Sequence, residues 1–181
     1  MASLIAKSAV GDHLPISHGS VTLREMPLTR ITAIAPFTGR EAATGTVLRK
    51  IGLDWPTPNR GVTAKSGHCL WSGRQQAFLI NAEPDGLQDA AAVTDVSDGW
   101  VALVLEGASG AEVLARLVPI DLGPRAFPQG AVARTSLGHM MVLVHRAAPQ
   151  NLTLYVFRSM VGTAVHEIEV AMQAVAARAV V

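Results

Sequence analysis

The stretch Trp100 to Glu106 (WVALVLE) is apolar without a break up to its terminal glutamate, and it has the length of an ordinary strand. A strand with one wet face alternates apolar and polar residues. An unbroken run therefore predicts a strand covered on both faces, and the rest of the chain has to supply the cover.

The flanking pattern shows where that cover comes from. Thr22 to Ala35 reads as extended around Pro27. Thr38 and Glu41 have capping-box spacing ahead of a helix whose apolar face is Ala42, Ala43, Val47, Leu48 and Ile51, with Gly52 as its stop. Asp54 to Gly67 is rich in Pro, Gly and Asn and reads as a loop. Leu70 to Ile80 is strand, divided at Ser72-Gly73-Arg74, and Asn81 to Ala92 has room for a short helix. Ser109 and Glu112 form a second capping box for a helix lined by Val113, Leu114 and Leu117 and ended by Pro119.

Asp121 to Gly130 reads as another loop. Val132–Thr135, Met140–Arg146 and Leu152–Phe157 read as strands, the last two forming a hairpin across Ala147 to Asn151. From Ser159 the spacing of Val161, Val165, Ile168, Met172, Val175 and Ala179 is helical. Val170, Ala171, Ala174, Ala177 and Val180 make that helix apolar around most of its girth, so burial on more than one side is expected. The fold class is α+β, an antiparallel sheet backed by helices, with residues 1–20 as an N-terminal arm and 21–181 as a single domain.

Only 16 % of residues are charged, against about a quarter in a typical soluble domain. Such a surface suits a protein partly covered by a partner, and Trp71 and the last helix are the expected contributors. The net charge is +1 and the basic residues are scattered singly, so the phosphate-neutralising patch of a nucleic-acid binder is missing. No run approaches the ~18 apolar residues of a membrane span. The N-terminal apolar stretch is too brief for a signal peptide. Cys69 is the sole cysteine, which excludes an intrachain disulfide and makes the cytoplasm the expected location.

Candidates for chemistry each compete with a plainer role. Gly107-Ala108-Ser109-Gly110 lacks the dinucleotide fingerprint and suits a turn with an N-cap. The histidines at 13, 18, 68, 139, 145 and 166 show no ligand spacing, and His68 and Cys69 should point to opposite faces of a strand, so no metal site is expected. Ser136 and His139 flank a turn without a nucleophile elbow. Asp95 and Asp98 are the best acid–base candidates, against a turn role for both. Arg134 could clamp a carboxylate of a ligand or a partner, or form a salt bridge within the domain. No catalytic residue is nominated. Asp95 and Arg134 stand as the candidate cofactor-binding residues.

Several segments in order carry a family resemblance: Leu70–Ile80 (LWSGRQQAFLI), Ala92–Trp100 (AVTDVSDGW), Leu114–Leu122 (LARLVPIDL), then Phe127-Pro128-Gln129-Gly130, Arg134-Thr135, His139-Met140, Arg158-Ser159 and His166. Together these resemble the gamma subunits of heterotetrameric sarcosine oxidase, over roughly Leu23 to Arg178. That family is in turn similar to the folate-binding aminomethyltransferase domain of the glycine cleavage system, which implies that fold. The resemblance implies an accessory, non-catalytic subunit working with alpha, beta and delta subunits. Their complex demethylates sarcosine to glycine, passes the one-carbon unit to tetrahydrofolate, and uses FAD, FMN, NAD, tetrahydrofolate and zinc, none of them bound by this chain. The competing reading is a stand-alone folate-binding or one-carbon-transfer protein with Asp95 and Arg134 near its ligand.

Overall fold

The computed structural model describes residues 7–27 and 30–179. The α+β expectation holds, and the strands divide between two antiparallel sheets. In chain order the elements are β1 (Ile16–His18), β2 (Val21–Met26), β3 (Ile31–Pro36), α1 (Glu41–Lys50), β4 (Gly61–Ala64), β5 (Gly67–Gly73), β6 (Gln76–Ile80) and β7 (Ala91–Asp95). They continue with β8 (Trp100–Gly107), α2 (Gly110–Leu114), β9 (Val132–Leu137), β10 (Met140–Ala148), β11 (Asn151–Phe157) and α3 (Val161–Arg178). The larger sheet runs β1-β2-β8-β11-β10-β9 and the smaller runs β4-β5-β6-β3-β7.

The all-apolar run is β8, a central strand buried from Val101 to Leu105. Its alternation assigns the cover. Val101, Leu103 and Leu105 pack in the core that holds α2 and α3, while Ala102 joins Ile31, Leu70, Ile80, Val132, Leu143 and Tyr155 between the sheets. A third core under α1 contains Leu48, Ile34, Cys69 and Leu79. The layers are therefore α1, small sheet, large sheet, then α2 with α3.

Several boundaries differ from expectation for identifiable reasons. The extended stretch Thr22–Ala35 splits: β2 pairs with β8 in one sheet and β3 with β6 and β7 in the other. Pro27 at the break has no N–H to continue a ladder, and Leu28 and Thr29 of that stretch lie outside the described residues. Neither capping box forms. Gly39 (φ 75°) separates Thr38 from a helix that begins at Glu41 behind Arg40. Ser109 does sit at the N-cap of α2, but its hydroxyl accepts from Ser20 Oγ (3.1 Å).

The α1 contact face is centred on Thr44, Gly45 and Leu48, and Ala42 is exposed. Thr44 can be buried because its hydroxyl donates back to the Arg40 carbonyl (3.0 Å). Gly52, at φ 77°, stops that helix as expected. Within the supposed 54–67 loop, β4 forms and pairs with β5. Asn81–Ala92 is turns leading into β7, because Asn81 and Gly86 take positive φ and Pro84 interrupts any helix. The helix before Pro119 ends early, at Leu114.

The three later strands and the hairpin across 147–151 are present. The all-round burial expected of α3 is not found. Its packed stripe is Val161, Ala164, Val165, Ile168, Ala171, Met172 and Val175, while Val170 is 50 % exposed. Alanines have too little side chain to need cover, which is why the composition overstated the case. Val180 lies outside the described residues, as does most of the apolar N-terminal stretch. Among the described residues no helix is long and apolar enough to cross a membrane.

Candidate functional site

Asp95 ends β7, and its surroundings are those of an anchor. Its Oδ1 accepts from the Ser97 N–H (3.0 Å) and the Ser97 hydroxyl (2.5 Å), while Oδ2 lies 3.5 Å from Arg30. The Ser97 oxygen in turn accepts from the Ile31 N–H (3.0 Å), and Val96 N–H donates to the Ile31 carbonyl (2.9 Å). The motif therefore ties the end of β7 to the start of β3. Hydrogen bonds from Ser97, with help from Arg30, hold the Asp95 carboxyl below its ordinary range. The geometry is that of the turn role weighed for Asp95, and its carboxyl is lowered where acid–base work exploits a raised one. Ser97→Ala should cost about 1–2 kcal/mol, since it strips the Ile31 N–H and Asp95 of one shared partner. A urea midpoint equal to wild type would remove this anchoring role.

Arg134 lies on β9, at the far edge of the large sheet. Its Nη1 donates to the Ser72 carbonyl of β5 (3.3 Å), bridging the two sheets. The internal salt bridge weighed for it is not made: among the described residues no carboxylate lies within ion-pair distance. Asp95 and Arg134 occupy opposite sheets and share no bond or hollow among the described residues, so the two candidates do not converge.

The other candidates separate similarly. His68 and Cys69 do face opposite ways. Cys69 is sealed beneath α1, where burial and then Asp54 push its thiol up to about 12, unsuited to a nucleophile. His68 faces the large sheet, with Nδ1 2.9 Å from Thr63 Oγ1 and its ring 6.0 Å from that of His145. Ser136 and His139 share the β9–β10 hairpin without a hydrogen bond between them among the described residues. Gly107 closes β8 at φ 133°, where a Cβ would sit 1.9 Å from the Ser20 carbonyl oxygen. Asp98 and Arg158 line a mixed-charge hollow of about 560 Å³ with Glu25 and Lys7. Among the described residues no group of three or more His, Cys, Asp or Glu side chains could hold a metal.

Two features were missed in the sequence. Arg146 is buried and donates to three loop carbonyls, those of Phe127 (2.6 Å), Pro149 (2.7 Å) and Leu122 (2.5 Å). An arginine inside an apolar strand was the available signal. The second is an aromatic row at one end of the sandwich: Trp100 lies 4.4 Å from Phe157 and meets Phe78 edge-on at 5.1 Å, centroid to centroid. Nothing local in the sequence connects residues so far apart.

No protein-family model matches the chain. Sarcosine oxidase subunit gamma of Corynebacterium sp. (strain U-96) is 33 % identical over 148 residues, covering 73 % of this chain and 69 % of that protein. Among solved structures, a chain of the heterotetrameric sarcosine oxidase from Corynebacterium sp. U-96, in complex with pyrrole 2-carboxylate, superposes with a TM-score of 0.75. That match is 28 % identical and covers 87 % of this chain and 86 % of that one.

Proposed function

The chain belongs to the family of sarcosine oxidase gamma subunits, and from that premise we propose that it is an accessory, non-catalytic subunit of a heterotetrameric amine-oxidising complex. The observation that carries the proposal is the match along nearly the whole length of both chains to a component of such an assembly. Asp95 is locked as a strand anchor, Cys69 is sealed as a thiol, and the candidate ligand residues do not meet. In this reading alpha, beta and delta subunits supply the chemistry. They carry the flavins FAD and FMN, NAD, tetrahydrofolate and zinc, and the complex oxidises sarcosine to glycine in the cytoplasm.

Co-expression with the complex's other subunits should give an assembly that contains this chain and consumes oxygen when given sarcosine. The purified chain alone should turn over neither sarcosine nor a folate, and turnover in the absence of the other subunits would defeat the proposal. Calorimetric titration of the isolated chain with tetrahydrofolate should be silent. Micromolar binding there would favour the stand-alone folate reading, with Asp95 and Arg134 as the first residues to test.

A further inference from the structure

We infer that the splayed mouth between the two sheets is the surface that receives another subunit, and that its occupant is a protein segment presenting apolar side chains beside a carboxylate. This rests on the accessory-subunit reading and adds to it a place and a chemistry.

Two of the large exposed apolar side chains stand there. Phe157 (36 % exposed) stands opposite Trp100 in the β11–β8 ladder, and Met141 (42 %) lies on the same face of β10, two residues before Leu143 of the inter-sheet core. Across the gap, the inner face of the small sheet continues through Ala33, Ala35, Ala92 and Thr94 around a hollow of about 170 Å³, with Phe78 at its base. Ser72 and Phe78 line both this hollow and the slot bordered by Trp100 and Met141, so the small residues of one wall lie beside the large ones of the other. An apolar patch of this kind, with a polar rim, marks an interaction site.

The dimensions select the class of occupant. The hollow is smaller than the roughly 300–1,000 Å³ that encloses a small molecule. The slot beneath it, where Arg134, Ser72, Phe78, Trp100 and Met141 meet, holds about 10 Å³. Whatever binds must lie across the mouth, as a protein segment does. The β5–β6 and β9–β10 hairpins that border it contain Arg74, Arg134 and His139 and no Asp or Glu. Glu41 meets this rim through Gln75 (3.3 Å). The Ser72 carbonyl fixes one N–H group of Arg134 at the edge of the apolar slot, and its remaining donors suit a carboxylate arriving with the segment.

The test is assembly of the full chain with its partner subunits, comparing wild type with Arg134→Glu and Met141→Glu, and using Ala108→Glu, exposed just past the opposite end of β8, as the surface control. Titration should show at least a tenfold loss of affinity for both mouth variants and wild-type affinity for the control, with an unchanged thermal midpoint for Met141→Glu. Folded mouth variants that assemble like wild type would overturn the inference while leaving the subunit reading intact. A mouth variant that breaks self-association of the chain but not its assembly with the other subunits would also overturn it, assigning the mouth to a second copy. Wild type that fails to join the other subunits would instead overturn the subunit reading, and this inference with it.

Discussion

Replacing Arg146 with methionine is expected to lower the free energy of unfolding by about 3–5 kcal/mol. The residue sits on β10 with its guanidinium drawn under the 121–130 loop. Three N–H groups reach three carbonyls on two separate loops, and the Phe127 ring lies 5.9 Å from the guanidinium carbon. Burial lowers the pKa of the side chain, but a guanidinium starts so high that it stays charged. That buried charge is expensive, and no carboxylate among the described residues offsets it. Charge-assisted bonds to carbonyl dipoles provide the compensation. Methionine keeps much of the apolar stem and none of the donors, so it strands the Leu122, Phe127 and Pro149 carbonyls together. Lysine should fall between, because one ammonium cannot span the three acceptors. The readouts are the urea midpoint and faster tryptic cleavage after Arg125. A methionine variant within 1 kcal/mol of wild type would show that the loop holds itself.

The same residue illustrates how far the sequence could be read. Features encoded locally were legible: the run Trp100–Leu105 requires cover on both faces, and the helical spacing from Val161 to Val175 predicts the packed stripe of α3. The Asp95–Ser97 turn chemistry was legible too. What escaped depends on long-range geometry. No spacing rule says that β2 and β3 enter different sheets, that Ser109 spends its hydroxyl on Ser20 instead of a helix N–H, or that Arg146 reaches across to Leu122. The apolar mouth was invisible for the same reason. Phe78, Trp100, Met141 and Phe157 lie on four strands, and each alone reads as an ordinary strand residue.

Stability should also depend on pH through His145, with about 3 kcal/mol lost from this residue between pH 6.5 and pH 4. His145 is buried between the sheets, opposite Val132 in the β10–β9 ladder. Burial lowers its pKa to about 4, and the neighbouring His68 adds to the shift while its own pKa is lowered by burial. The unfolded chain takes up a proton near 6.5, well before the folded one. The contribution is therefore complete above pH 6.5, declines as pH falls, and is gone below the folded-state value. The burial has a steric origin at Gly61: a Cβ there would sit 2.5 Å from Leu70, 3.2 Å from Val132 and 3.4 Å from His145 Nε2. The glycine is what lets the sheets close over the imidazole, which then has no room to be solvated as a cation. His145→Leu removes the titration, whatever it does to stability at neutral pH. Between pH 7.5 and pH 4 the variant should gain about 3 kcal/mol relative to wild type, a difference from which the carboxylates common to both proteins cancel. Parallel stability curves for the two proteins would mean that the imidazole remains in contact with water in the folded state and that the closure at Gly61 is looser than the packing indicates.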